Sequence, residues 1–243
     1  MREKRYVRTG IPGVDAMLKG GLYPGSAVLV SGPPGSGKSI FGMQFIRSGA
    51  AEFGEPGLFI SVEDTAGGLS DYAASLGWDD WERLSASGGI SAIGTDYFMS
   101  ASLSGSLEGL LETVASTKAR RMVIDPINLF KYYFPAEEDR RRYMLKFIGI
   151  LKARGITTLM IAESLEQFPA IRMTEEMYLA DGNITLFMSR MGNTVERCFW
   201  ATKMRRQDIN TNIVPMSIGR GGIVVHEGGI PYSLLSGQAP EVG

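Results

Sequence analysis

Residues 32–39 read GPPGSGKS, and this stretch with its flanks leaves the chain little freedom in its fold. Gly32 and Gly37 have four residues between them and are followed by Lys38 and Ser39, the pattern G-x4-G-K-[ST]. SAVLVS (26–31) before it is a short apolar run that reads as a buried strand, and KSIFGMQFIRSGAAEF (38–53) after it has Phe41, Phe45 and Ile46 at helical spacing. Glycine is permissive and proline rigid, so the stretch between is neither helix nor strand. A strand, a glycine loop and a helix in that order gather backbone N–H groups at the positive end of the helix, which makes an anion site. The loop, Gly32, Pro33, Pro34, Gly35, Ser36, Gly37, Lys38, Ser39 and Ile40, is expected to cradle the phosphates of ATP. Lys38 is expected to reach the β- and γ-phosphates, and the Ser39 hydroxyl to ligate Mg2+.

The rest of the chain alternates. LFISV (58–62), RMVID (121–125) and TTLMIA (157–162) read as further strands. Helices are expected over 65–77, over 103–119 with Leu103, Leu107, Leu110, Leu111 and Val114 on one side, and over 137–153. In the last of these Met144, Leu145, Ile148 and Leu151 are expected inward, with Arg140 and Arg141 outward. Strands alternating with helices imply right-handed crossovers and a mostly parallel sheet. The last third differs: 183–188, 195–203, 212–218 and 222–226 read as consecutive strands with turns between, an antiparallel extension on one edge. No linker divides the chain, so residues 1–243 are expected to form one domain: α/β, a mostly parallel central sheet flanked by helices, with an antiparallel C-terminal extension.

Composition narrows the function. Net charge is −1 and the pI about 6.0, against a dedicated nucleic-acid binder, which is usually basic. The chain has one cysteine, Cys198, and one histidine, His226, so neither an intrachain disulfide nor a zinc site of the usual kind is expected. Cys198, in RCFWA, reads as buried and inert, and His226 as a polar residue ending a strand. MREKRYVRTG has no apolar segment after its charges, and no run approaches the ~20 residues of a membrane helix. The expectation is a cytoplasmic protein without a membrane partner.

A loop that binds triphosphate needs more groups to hydrolyse it. Asp125 closes the run MVID and suits a carboxylate holding Mg2+; Pro126 then ends the strand. Glu63 and Asp64 follow LFISV, and ligands sit at the carboxyl ends of parallel strands. Glu63 is therefore expected to orient and deprotonate the attacking water. Asp64 either assists it or caps the next helix. Lys203 and Arg205, in WATKMRR, alternate and so project from one face as candidate cations for the transition state; a solvated strand end would carry the same charges. No N-K-x-D guanine-reading motif is present, which favours ATP.

Taken together these residues resemble the KaiC-like branch of the RecA/RadA superfamily. The similarity begins with Thr9, Gly10, Asp15, Gly20, Gly21, Pro24 and Gly25 ahead of the loop. It continues through FISVEDTAGGL, ASLGWD, VIDPINL, LKARGITTLMIAE, LADGNITL and TKMR, from about Thr9 to His226. The resemblance implies a RecA-like ATPase core forming rings, commonly hexamers, with ATP between subunits. It matches Glu63 and Asp64 to the family's acidic pair, Asp125 to the Walker B aspartate, and Lys203 and Arg205 to a Lys-x-Arg pair reaching a neighbour's γ-phosphate. Three positions depart: Asp64 where a second glutamate is frequent, Arg206 where a glycine often follows Lys-x-Arg, and Pro126 where serine is common. The family's circadian clock protein carries two such domains, so a clock function and autophosphorylation do not carry over to this chain.

A ring-forming ATPase signalling to an unidentified protein partner is the leading expectation, and a DNA-binding recombinase paralogue the alternative. In the latter, Lys131 with Tyr132, Tyr133 and Phe134 would contact DNA, although the aromatics equally suit packing. The second candidate DNA loop, SLEQFPAIRMTEE, is acidic and suits DNA poorly. A third reading, a small-molecule kinase, would use Arg140, Arg141 and Arg142 as a phosphate clamp, where a solvated helix face is the simpler reading.

Overall fold

A computed structural model describes residues 6–95, 107–128, 130–131, 134–164, 174–191 and 193–235. The strands are β1 (Ala27–Gly32), β2 (Gly57–Ser61), β3 (Ile90–Ile93), β4 (Arg121–Asp125), β5 (Thr157–Glu163), β6 (Gly182–Met191), β7 (Thr194–Met204), β8 (Val214–Gly219) and β9 (Gly222–Val225). The helices are α1 (Val14–Met17), α2 (Lys38–Glu52), α3 (Ala66–Ser75), α4 (Trp81–Ala86), α5 (Leu107–Ser116), α6 (Glu137–Ala153), α7 (Glu175–Leu179) and α8 (Tyr232–Leu235). All nine strands form one sheet in the order β3-β2-β4-β5-β1-β6-β7-β8-β9. Pairings from β3 through to β6 are parallel; those from β6 to β9 are antiparallel. The α/β architecture expected from the alternation, with its antiparallel C-terminal extension, is the one observed.

β1, β2 and β4 are buried along their whole length, as parallel strands covered on both faces must be. Alternate residues serve opposite faces. Val28 and Val30 meet Phe41, Phe45 and Ile46 of α2; Ala27 and Leu29 lie with Met144, Phe147, Ile148 and Leu151 of α6. Leu145 is an exception to the expected inward set. It is 48% exposed, and Phe147, at 1%, takes the core position. Met144, Ile148 and Leu151 fix the buried stripe, and Leu145 lies about 100° round from Met144, off that stripe. Strand β3 and helix α4 were not anticipated.

Helix α2 lies close on the sheet. A Cβ at Gly42 would come within 2.8 Å of Val123 Cγ1, and one at Gly49 within 2.4 Å of Arg121 Cδ. Arg121 is fully buried. Its Nε donates to Glu55 Oε2 (2.7 Å), Nη1 to the Phe45 carbonyl (2.9 Å) and Nη2 to the Arg8 carbonyl (2.7 Å). The guanidinium also lies 4.6 Å from the Phe45 ring centroid, so a charge that burial disfavours is matched on every side.

The N-terminal segment is tied by Asp15, whose Oδ1 accepts from the Thr9 amide and hydroxyl, both at 2.7 Å. At the other end, Gln44 of α2 bonds both the amide and carbonyl of Ile223 (2.7 and 3.1 Å), docking the β8–β9 hairpin onto α2. Cys198 is wholly buried, and burial, then Glu196, pushes its thiol up to about 12. His226 just follows β9 and shares a hydrogen bond with the Ser217 hydroxyl (3.1 Å). Among the described residues no helix is long and apolar enough to cross a membrane.

Candidate functional site

The glycine loop joins β1 to α2. The Ser36 amide donates to the Pro33 carbonyl (3.2 Å). Pro34 and Gly35 are the two central residues of this turn, and Gly35 has φ 78°. That is a type II turn, which takes proline at its second position and glycine at its third. Gly37, at φ 99°, caps α2 in the left-handed region. Gly32 is needed for a different reason: a Cβ there would sit 2.0 Å from the Leu186 carbonyl oxygen. The loop is braced from the antiparallel extension, where Arg197 Nε donates to the Gly35 carbonyl (3.2 Å).

Two side chains of the loop are held ready for an anion. Lys38 is buried, and its Nζ donates to the Pro33 carbonyl (2.9 Å). Burial lowers its pKa, against which Glu163, then Asp125 and Glu63, act to keep it charged. The Ser36 hydroxyl is buried with no hydrogen-bond partner, a state that buried polar groups rarely keep without a ligand or water. Ile40, the last residue of the expected set, is buried in the core.

Asp125 ends β4 with a cis bond to Pro126. Burial raises its pKa to about 6 and Glu63 and Asp64 add to the rise, while the neighbouring Ser39 hydroxyl and Lys38 oppose it. Ser61 is the register partner of Asp125 across β2 and β4. The Ser61 hydroxyl accepts from the Glu63 and Asp64 amides (3.3 and 2.9 Å). This turn carries both acids beyond the strand into solvent beside Asp125. Asp64 does not cap α3; Thr65 does, accepting from the Gly68 amide at 3.0 Å.

Glu163 was missed from sequence. It ends β5 as the register partner of Gly32 and is the carboxylate acting most strongly on Lys38. Its signal was the one used for Asp125: an acid closing an apolar strand. Tyr72 of α3 is a second addition. Its pKa is raised by burial and then by Asp64 and Asp125, which places its ring on the acidic side of the site.

The oxygen set fits Mg2+. Among the described residues no cluster of three or more His, Cys, Asp or Glu is placed to hold a metal. Mg2+ asks for less, since it is held through one or two protein oxygens together with substrate phosphates and water. Ser39 and Asp125, which lie beside each other, are that pair. The partnerless Ser36 hydroxyl and the cation of Lys38 fit the phosphates.

Lys203 and Arg205 are elsewhere. Met204 of β7 pairs with Gly182 of β6, and Gly182 pairs with Val28 near the start of β1. Both cations therefore lie toward the opposite end of the sheet from Gly32, with roughly 10 Å of strand between for Lys203, level with Leu29, and about 16 Å for Arg205, level with Ala27. Lys203 Nζ donates to the carbonyls of Met177 (3.1 Å) and Ala180 (2.9 Å), and Arg205 Nη2 to that of Tyr178 (3.2 Å). Both thus face the C-terminal carbonyls of α7, although Arg205 lies beyond the end of the strand. Arg206 follows with φ 69°, its guanidinium 5.3 Å from the Tyr23 ring.

The aromatic cluster proposed for DNA is in part internal. Phe130 is buried against Phe147 (5.4 Å, edge-on), and Phe134 stacks on Tyr143 at 3.9 Å. Tyr132 and Tyr133 lie outside the described residues, as do 165–173 of the second candidate loop. Arg142 pairs with Asp139 (2.6 Å) and Arg141 with Glu175 (3.3 Å), both arginines being exposed. This is the solvated helix face.

Comparison with known proteins gives a consistent picture. The family model described as "ATPase: KaiC" matches residues 7–229. The circadian clock oscillator protein KaiC of Parasynechococcus marenigrum (strain WH8102) is 30% identical over 224 residues, covering 89% of this chain and 44% of that protein. That of Synechococcus elongatus is 30% identical over 225 residues, covering 89% and 43%. The chain thus spans less than half the length of these curated relatives. The crystal structure of a KaiC-like protein from the hyperthermophilic archaeon Pyrococcus horikoshii OT3 superposes with a TM-score of 0.80 at 34% identity, covering 92% of this chain and 100% of that one.

Proposed function

This chain belongs to the KaiC family of ATPases, with a RecA-like core, and on that premise we propose that residues 1–243 form one domain of an Mg2+-dependent ATPase that works as a ring in the cytoplasm. The ring has six subunits in the family's manner, with ATP between neighbours and a regulatory output to a protein partner.

The observation that carries this reading is the separation of Lys203 and Arg205 from Lys38 along the sheet. A γ-phosphate at the loop would face Glu63, Asp64, Asp125 and Glu163. Such a charge distribution binds triphosphate only with added cations. A head-to-tail neighbour has two at the right end of its sheet.

In this mechanism the amides of Gly32–Ser39 and Lys38 bind and orient the phosphate chain. Ser39 and Asp125 would hold Mg2+, which when bound would neutralise charge on the phosphate chain. Glu63, carried into solvent by the Ser61 turn, orients the attacking water and takes its proton at a carboxylate oxygen. Lys203 and Arg205 of the adjoining subunit stabilise the charge that develops on the transferred group.

The test is complementation. Lys203→Ala and Glu63→Gln subunits are each inactive alone in this reading. Mixed rings regain hydrolysis at interfaces where an intact Lys203 faces an intact Glu63. No recovery in rings shown by mass spectrometry to be mixed overturns the reading.

A further inference from the structure

The residues around Lys203 and Arg205 centre on one acid. Asp181 precedes β6, and its side chain is 13% exposed. Its Oδ2 accepts from the Ala27 amide (3.0 Å) and pairs with Lys152 Nζ (2.7 Å). Its Oδ1 lies 3.8 Å from Arg205 Nη1. The backbone repeats the connection: the Arg205 amide donates to the Asp181 carbonyl (2.7 Å), and the Asp181 amide to the Ala27 carbonyl (2.8 Å). Asp181 therefore holds the start of β1, the last turn of α6 and the end of β7 together.

The same acid acts on Lys203. Burial lowers the Lys203 pKa, Arg205 and Lys152 lower it further, and Asp181 opposes them. A cluster of three cations needs such an anion to stay assembled. The β6–β7 ladder is also irregular here. Asn183 pairs with Lys203 while Ile184 pairs with Ala201, so Thr202 is an extra residue. A bulge of this kind bends a strand end and re-aims its side chains. The loop beyond is anchored from its other side, where Gln207 Nε2 donates to the Leu18 and Gly21 carbonyls (3.1 and 3.0 Å).

We propose that Asp181 is a positioning residue: it holds Lys203 and Arg205 in the posture from which they reach the γ-phosphate bound by an adjoining copy. This rests on the reading that the two cations act across the interface. Asp181 touches no phosphate itself. It fixes the geometry of the two residues that do, and its bonds to Ala27 attach them to the strand whose far end is the subunit's own phosphate loop. Each subunit then ties its donated cations to the start of β1, the strand whose other end leads into its own loop.

The test uses the full chain in mixed rings. Acceptor subunits carry Lys203→Ala and keep their own loop and Glu63. Donor subunits carry Glu63→Gln alone, Glu63→Gln with Asp181→Asn, or Glu63→Gln with Asp181→Glu. Asparagine keeps an oxygen for the Ala27 amide and removes only the charge; glutamate keeps the charge. The Asp181→Asn donor is expected to restore about tenfold less hydrolysis than the Glu63→Gln donor, on the scale of a lost charged contact. The Asp181→Glu donor is expected to recover most of it. ATP affinity at the loop of the Asp181→Asn subunit, read with a fluorescent nucleotide, is expected to stay within about twofold, since that loop lies at the other end of β1. Equal restoration by all three donors overturns the role of Asp181 and leaves the cross-interface reading standing. Failure of the glutamate donor alongside the asparagine donor also overturns it, because the charge is then not what matters. Failure of the Glu63→Gln donor itself removes the cross-interface reading and this assignment with it. Should Asp181→Asn not fold, Lys152→Met carries the test. It leaves Asp181 to Arg205, so donation should persist, and its loss overturns the proposal.

Discussion

The Ser39 hydroxyl, in the first turn of α2, lies beside the Asp125 carboxylate at the end of β4 and favours its ionised form. That neighbour does not offset burial, which leaves Asp125 with a pKa of about 6 against an ordinary 3.8. As pH rises, the unfolded chain releases this proton first, while the folded protein still holds it. The nucleotide-free protein therefore loses stability between about pH 4 and pH 6, by up to about 3 kcal/mol. Asp125→Asn should abolish hydrolysis yet raise the melting temperature at pH 8. The two proteins should melt alike near pH 4. Thermal melts across that range without nucleotide check both the sign and the window.

Lys38 is the other group whose placement serves a ligand at the protein's own expense, its charge being disfavoured by burial. Lys38→Ala should weaken ATP binding by about 10- to 100-fold, the scale of a charge-assisted hydrogen bond to phosphate. It should leave the melting temperature of the nucleotide-free protein unchanged or higher. Calorimetric titration with Mg-ATP and a melt of the same sample measure both.

Arg121 makes the opposite prediction. Its guanidinium is enclosed by Glu55, two carbonyls and the Phe45 ring. Glu55→Gln removes the countercharge from a buried cation, which destabilises by about 3–5 kcal/mol where the partner is fully desolvated. Glu55 is one-third exposed, 33% by side chain, so the lower end of that range or less is expected. Urea unfolding should show a lower midpoint with an unchanged slope.

Arg206 stands in the left-handed region at φ 69°, where the resemblance leads one to expect glycine. A side chain there costs about 1–2 kcal/mol, partly recovered by the stacking on Tyr23 at about 0.5–1 kcal/mol. Arg206→Gly should therefore be neutral to slightly stabilising, whereas Arg206→Val should destabilise. Denaturant midpoints of the two variants give the comparison.

Much of this was legible in sequence, and the exceptions have physical causes. The glycine pattern, the apolar runs and the acids that close them placed β1, β2, β4 and β5 correctly. Local spacing carries that information, because a parallel sheet buries its strands whole. β3 was missed because, at the sheet edge, it is short and half-buried in its middle. Leu145 was misassigned because hydrophobicity says nothing of a one-residue rotation about a helix. Arg121 was invisible because its partners come from positions 8, 45 and 55. The locations of Lys203 and Arg205 depend on which strands β6 and β7 pair with and in what register. Alternation along β7 alone cannot supply this.

The measurement that bears most directly on the central claim is phosphate release from Mg-ATP by the purified protein, with Glu63→Gln as its control. Steady turnover without DNA, lost in the variant while ATP binding persists, is the predicted result. Turnover that survives Glu63→Gln, or that appears only when single-stranded DNA is added, would contradict it.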